Sequence, residues 1–357
     1  MRSPDQFKHI IEAGTVEASA PCRIDMGGTL DIPTLHYPLR HLEPCTFNIA
    51  INLRTRVQLA PFRDGWVKVS SRGFESAEFP LQAAPFDHPL GLMFAVAAYF
   101  GAAGVHIQIE SSSPPRSALG GSSAAAVALV AAFLTASGEA SDCPKDFQHR
   151  TAMLAHMIET VAAGGPCGFQ DQLAASYGGV NVWYWSGRPE GTAYQKKAIR
   201  PSESTMDMDR SFLVAYCGVP HESMDVNRKW IRQFLSGMYR VEWEKINEAT
   251  RDFVDFLGCG DLKHAGDAMN REMVIRRRLT PDVVDDLGGR LLNAAVRFNC
   301  GARITGAGGG GCLWALGKPD DICRLKPVWQ EILNAVPDAC LLDARVDPSG
   351  VRCDNSA

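Results

Sequence analysis

The sequence predicts an α+β protein of two domains, and three observations carry that reading. At 357 residues the chain is long enough for two domains of ordinary size and a large buried core. Its strand-like and helix-like segments are mixed within each half rather than alternating as strand–helix–strand units, which disfavours a doubly wound parallel sheet. A polar, proline-containing stretch, SGRPEGTAYQKKAIRPSESTMDMDR (186–210), separates the halves and reads as a hinge.

Taken in order, CTFNIAINLRTRVQLAPF (45–62) alternates and is rich in β-branched residues, which predicts a strand. WVKVSS (66–71) and VHIQIES (105–111) read the same way, while DHPLGLMFAVAAYFG (87–101) and FQHRTAMLAHMIETVAA (147–163) have helical spacing. The second half opens on an apolar strand, SFLVAYCG (211–218), followed by helical patterns over 222–238, 241–257, 260–275 and 281–298. A short strand around Ala302–Thr305, a glycine run, a strand at 312–317, a helix near 319–335 and the segment ACLLDARV (339–346) complete the chain's second half.

Hydrophobic residues at 46% and charged residues at 21% fall in the ordinary range of soluble globular proteins. A net charge of -4 gives no electrostatic reason to expect nucleic acid or an acidic membrane as partner. The start, MRSPDQFKHIIEAGTVEAS, lacks a basic-then-apolar signal, so a cytoplasmic location is expected. Eleven scattered cysteines without a CxxC pair predict reduced, mostly buried thiols, and nine histidines without HExxH or Cys/His ligand spacing predict no structural zinc.

The segment SSSPPRSALGGSSAAAVALVAAF (111–133) places prolines, glycines and serines at the mouth of the most apolar helix. The run is too short to span a bilayer and reads as a core helix. The start of a helix leaves backbone N–H groups unpaired and carries partial positive charge, and glycines before it let an anion approach closely. Such a site fits phosphate, with Ser122 and Ser123 adding hydroxyls for capping, phosphate or Mg²⁺; the plain alternative is that Ser122 caps a buried helix after a turn. No GKS or GKT follows, and GxGxxG after a strand is lacking, so neither a Walker A loop nor a dinucleotide fold is expected.

Three further stretches sharpen this: APCRIDMGGTLDIP (20–33), IETVAAGGPCGFQDQLAASYGG (158–179) and ARITGAGGGGCLWAL (302–316). With PPRSALGGSSAAA they resemble, in order, the motif set of the GHMP kinases (galactokinase, homoserine kinase, mevalonate kinase, phosphomevalonate kinase), from about Ala20 to Leu316. PCGFQDQ resembles the galactokinase segment around its catalytic Asp. LGGSSA, DQLAASYGG and MNREMVIRRRLTPDVVDDL before ITGAGGGG look more like D-glycero-D-manno-heptose 7-phosphate kinases and fucose kinases.

The resemblance implies a two-domain fold: a ribosomal protein S5 domain 2-like N-terminal domain over 1–200 and a ferredoxin-like C-terminal domain over 201–357. It implies an ATP- and Mg²⁺-dependent kinase that phosphorylates a hydroxyl of a sugar or sugar phosphate, acting as monomer or homodimer. Asp171 would be the base or orient the hydroxyl, and Arg23 would keep Asp171 ionised and neutralise developing charge. Ser123 and Glu159 would hold Mg²⁺, and the amides of Leu119, Gly120, Gly121, Ser122 and Ser123 would cradle the ATP phosphates. Asp31, with Gly28, His221 and Gly306, Gly308 and Gly309 of the glycine loop, would contact the acceptor.

Each residue also has a simpler reading. Glu159 fits a solvated charge at a helix end, Asp171 fits a helix cap, Arg23 and Asp25 fit a surface ion pair, and residues 306–311 fit a tight strand connection. Arg276, Arg277 and Arg278 read as the solvated face of a helix, or as a site for a phosphate already on the substrate. Arg116 and Ala118 stand where relatives commonly have Gly; if position 118 takes positive φ, Ala there is strained by about 1 kcal/mol. GGTLD lacks the Glu-His pair of galactokinases, so galactose itself is not implied. The rival functions are a non-catalytic sugar sensor on the same scaffold and an ATP-dependent decarboxylase of the mevalonate branch.

Overall fold

The computed structural model describes residues 11, 14–164, 167–187, 192–199, 207–220 and 223–356. Strand β1 (Thr15–Met26) sets the layout, because its side chains alternate in destination. Ala18, Ala20, Cys22, Ile24 and Met26 enter the main core, while Arg23 and Asp25 occupy the other face. The pairing of β1 with β2 (Cys45–Pro61) shifts register between Pro21 and Cys22, where β2 carries the extra residues. A proline cannot donate to a ladder, and this irregularity accommodates it shortly before Arg23.

The first sheet adds β3 (Trp66–Ser71), β4 (Ala77–Pro80), β5 (Val105–Ser111), β6 (Val180–Trp185) and β7 (Tyr194–Ala198). All its pairings are antiparallel except that of β3 with β5. The second sheet has the order β11-β8-β10-β9, with β8 (Phe212–Tyr216), β9 (Gly301–Ile304), β10 (Cys312–Leu316) and β11 (Cys340–Leu342) all antiparallel. The last strand, β12 (Arg352–Ser356), returns to pair with β1 in the first sheet. Arg54 fastens the chain leading to it by donating to Asp347 at 2.5 Å and to the Gly350 carbonyl at 2.7 Å.

The helix Gly121–Ala136 lies in the middle of the first core, with thirteen of its sixteen residues buried. Its alanines let it pack closely against β1 and β2, and a helix apolar on every side is stable only when covered on every side. Around the second sheet, Arg240–Gly258, Leu262–Leu279, Asp286–Arg297 and Pro319–Leu333 are one-sided, with a second core built around Trp230, Trp243 and Trp329. The mixed α+β architecture is therefore as the sequence predicts.

Three details depart from expectation. The presumed hinge contains β7, which pairs along β6, and the expected boundary at 200/201 lies outside the described residues. β1 itself carries no strong alternating apolar signal in the sequence, because Ala, Ser, Pro and Cys supply many of its buried positions. Five cysteines are buried, whereas Cys143, Cys259 and Cys323 are exposed, so burial is not the general state of the thiols. Among the described residues no helix is long and apolar enough to cross a membrane.

Candidate active site

A cleft of about 440 Å³ opens where the N-terminus of the Gly121–Ala136 helix faces the helix Gln170–Tyr177 and the loop after β9. Gly120, Gly121, Ser122 and Ser123 all line it. The N-cap position is Gly120, at φ 73°, and no side chain among the described residues caps the helix, so Ser122 is not the cap that the simpler reading made it. The first-turn amides are left for a ligand. Leu119 is fully buried behind the loop, where its carbonyl accepts from the Arg23 amide at 2.9 Å, and it does not line the cleft. Arg116 and Ala118 take φ of 52° and 62°, so the alanine does sit in the left-handed region that favours glycine.

Arg23 reaches into this cleft from β1. Its Nε and Nη2 donate to the two carboxylate oxygens of Asp171 at 2.7 and 2.9 Å, and Nη1 donates to the Ala118 carbonyl at 2.6 Å. Burial alone pulls the Arg23 pKa down, but the Asp171 and Asp25 carboxylates reverse this and hold it above the ordinary value. Asp171 lies in the first turn of its helix, with a side chain 24% exposed toward the cleft, and Phe169 takes the cap position. Asp171 is thus held by a buried guanidinium rather than engaged in capping.

Across the helix mouth, Ser123 donates to Glu159 at 2.9 and 3.2 Å, and Gln172 Nε2 donates to the same carboxylate at 2.6 Å. Burial pushes the Glu159 carboxyl up to about 7, against the Ser123 bond and with the help of Asp171. Gln172 Oε1 is buried and has no hydrogen-bond partner among the described residues. Hydroxyl, carboxylate and an open amide oxygen form a hard-oxygen donor set that fits a divalent cation such as Mg²⁺. Gln172 lies within the PCGFQDQ and DQLAASYGG stretches, but the sequence assigns it no role of its own.

At the far end of the cleft Asp31 is nearly fully buried, and its Oδ2 accepts from the Gln170 amide at 3.0 Å. Burial pushes its carboxyl up to about 6, partly opposed by the Gln170 amide and aided by Asp171. A Cβ on Gly168 would lie 1.8 Å from that carboxylate, so only glycine permits the approach. Behind it, Asn48 donates to Gln170 Oε1 at 2.8 Å and accepts from the Trp183 indole at 2.5 Å. Gln170 lies within PCGFQDQ without being singled out there, and Asn48 carries no sequence signal beyond being polar between apolar neighbours.

The glycine loop arrives from the second sheet. Gly306, Gly308, Gly309, Gly310 and Gly311 all have positive φ, and a Cβ on Gly311 would lie 2.7 Å from the Ser117 carbonyl. The loop is therefore more than a strand connection, since it packs directly on the phosphate-loop candidate. Of its residues Ala307 lines the cleft, whereas Gly306, Gly308 and Gly309 do not. Gly28 also sits behind the wall, with Thr29 and Asp31 in front of it, and His221 lies outside the described residues. Arg277 and Arg278 are exposed, but Arg276 is completely buried against Trp230 and Trp243, contrary to the expected solvated face. Its Nη2 donates to the Gly28 carbonyl at 2.6 Å. Arg23 and Asp25 are likewise buried, not a surface pair.

Residues 88–179 match the family model for the GHMP kinases N terminal domain. No curated protein sequence matches the chain. Among solved structures, the chain is similar to the Lin0012 protein from Listeria innocua, with TM-score 0.73 and 16% identity over 95% of this chain and 99% of that one. It is also similar to Lactococcus lactis galactokinase complexed with galactose, with TM-score 0.72 and 16% identity over 98% of each chain. Streptococcus pneumoniae phosphomevalonate kinase in complex with phosphomevalonate and AMPPNP gives TM-score 0.69 and 15% identity over 96% and 99%. Residues 88–179, which carry the mouth of the Gly121–Ala136 helix, Glu159 and Asp171, thus match the GHMP kinases N terminal domain, and the whole chain shares the fold of these solved structures.

Proposed function

We propose that the protein is an ATP-dependent kinase that transfers the γ-phosphoryl group to a hydroxyl of a sugar or sugar phosphate. The observation that carries this reading is the Arg23–Asp171 pair facing the uncapped start of the Gly121–Ala136 helix. A carboxylate oriented by a guanidinium then stands beside backbone donors suited to phosphate, which is the pairing phosphoryl transfer needs. The kinship with a galactokinase bound to galactose and a kinase bound to AMPPNP supports the substrate class and the nucleotide.

In this reading the amides of Gly120, Gly121, Ser122 and Ser123 hold the triphosphate. Asp31 accepts hydrogen bonds from acceptor hydroxyls and fixes which of them faces Asp171. The acceptor oxygen attacks the γ-phosphorus as the bond to the β–γ bridging oxygen breaks, and the hydroxyl proton passes to Asp171 while ADP leaves. Arg23 orients Asp171 beforehand through its two hydrogen bonds and offsets charge on the moving group. Ser123 and Glu159, with Gln172 beside them, would hold a divalent cation, which neutralises phosphate charge when bound. Ala307 of the glycine loop lines the cleft, where with the substrates bound it would help keep water from the γ-phosphoryl group. A sensor would need neither the positioned base nor the cation donors. We assign residues 1–200 and 201–357 as two domains that meet at this cleft, with the terminal strand β12 crossing back into the first domain's sheet.

A coupled ADP-release screen over galactose, fucose, mannose, heptoses and their phosphorylated forms tests the proposal. Acceptor-dependent ADP release is expected with at least one of them. ADP release that no acceptor stimulates, with the protein folded and nucleotide bound, contradicts it.

A further inference from the structure

Beneath the cleft runs a chain of fully buried charges: Asp25, Arg303, Glu272 and Arg276. Asp25 is where this chain meets the site. Its Oδ2 accepts from Arg303 at 2.9 Å, and its Oδ1 accepts from the Gly306 amide at 2.7 Å. Oδ1 also lies 3.5 Å from Arg23 Nη1, the nitrogen bound to the Ala118 carbonyl. Arg303 and the Trp314 indole both donate to the Asp25 carbonyl, at 2.5 and 2.9 Å. A Cβ on Gly28 would lie 2.3 Å from Oδ2, so the acceptor-side turn packs on the same carboxylate. One buried group thus touches the guanidinium that grips Asp171, the first amide of the glycine loop and the turn leading to Asp31.

We propose that Asp25 is a positioning residue for phosphoryl transfer, holding Arg23 in the plane where it meets Asp171 and registering the glycine loop on it. A guanidinium has a fixed fork, so securing Nη1 from one side fixes the direction of the Nε–Nη2 edge. Asp25 and Ala118 secure Nη1, which leaves that edge aligned on both oxygens of Asp171. An uncharged amide cannot take this role. One oxygen of an asparagine side chain would become an NH₂ group facing another donor, either the Gly306 amide or Arg303. The buried Arg303 and Arg23 would then lack the carboxylate lying between them.

This inference rests on the proposed kinase activity, and its test separates the two. Asp25→Asn is compared with wild type and Asp171→Asn by ADP release, nucleotide binding and crystal structure. Turnover per nucleotide-binding site should fall about tenfold to a hundredfold, with both KM values within about threefold, because misalignment acts on the reacting geometry. The crystal structure should show Arg23 turned off the two-point contact with Asp171. A folded Asp25→Asn enzyme that melts earlier but keeps wild-type turnover per site overturns the inference and leaves the kinase reading intact. If wild type transfers phosphate to no acceptor, the kinase reading fails and geometry decides: a retained Arg23–Asp171 fork in Asp25→Asn overturns the positioning role. Should Asp25→Asn not fold, Arg303→Lys keeps the charge and removes the Nη1 bonds that set Asp25 beside Arg23; the same loss of turnover and of the Arg23–Asp171 two-point contact is expected, and unchanged turnover with that carboxylate displaced overturns the inference.

Discussion

Arg23 and Asp171 stand 148 positions apart in sequence and meet edge to edge, through two hydrogen bonds of 2.7 and 2.9 Å. One comes from the first strand and the other from the first turn of the Gln170–Tyr177 helix. The pair exists only when β1, the Gly121–Ala136 helix and the Gln170–Tyr177 helix are packed together. Folding and site assembly are therefore one event, and the site can be perturbed selectively from several directions.

Gly168 is one such direction. Gly168→Ala should push Asp31 aside, because the new methyl would lie 1.8 Å from Oδ2. The acceptor KM should rise at least about tenfold, equivalent to about 1.4 kcal/mol, while nucleotide affinity changes little. Steady-state kinetics in each substrate checks the asymmetry.

Ala118 carries strain that glycine would not. At φ 62° the alanine is in the left-handed region, so Ala118→Gly should stabilise the fold by up to about 1 kcal/mol after the entropy cost of glycine. Thermal melting should rise by about a degree or two. Turnover should stay close to wild type, since the Ala118 carbonyl that Arg23 uses is retained.

Asp31 gives a pH signature. Its folded pKa, about 6, lies above the ordinary 3.8, so the folded chain holds an extra proton between these values. The stability contributed by this protonation is fully present below the ordinary value and is lost as pH rises through about 6. Melting temperature of the free protein should thus carry a downward component across that window, which Asp31→Asn removes. Acceptor affinity should run the other way in wild type, weakening as pH falls below about 6, because only the carboxylate accepts from two hydroxyls. The pH profile of acceptor KM in both proteins measures this.

Ser123 and Glu159 act together. Ser123→Ala and Glu159→Gln should each raise the Mg²⁺ concentration for half-maximal turnover by about tenfold or more. Unchanged Mg²⁺ titrations in both variants would remove the pair from cation binding.

Much of this site is legible in the sequence because its local pieces are chemically unusual. A glycine-serine mouth on an alanine-rich helix, and a glycine run between two apolar strands, suit an anion-binding backbone better than an ordinary turn. What stays hidden depends on burial. Glu272 and Arg276 are an i,i+4 pair that in sequence looks like any solvated helix face, yet both are fully buried. Asp25 reads as a surface partner of Arg23 because sequence does not reveal that Arg303, from a distant strand, completes its environment. β1 is obscure for a related reason: many of its buried positions are small residues whose contribution lies in close packing, not in hydrophobic contrast. Gln172 gains meaning only once Glu159 is placed 2.6 Å from it.

The most direct measurement is turnover and nucleotide affinity of Asp171→Asn beside wild type. The account predicts ADP release lowered about a hundredfold or more with ATP binding preserved, since in the proposed function Asp171 takes the acceptor proton and the helix amides hold the triphosphate. An Asp171→Asn enzyme that turns over near the wild-type rate would contradict it.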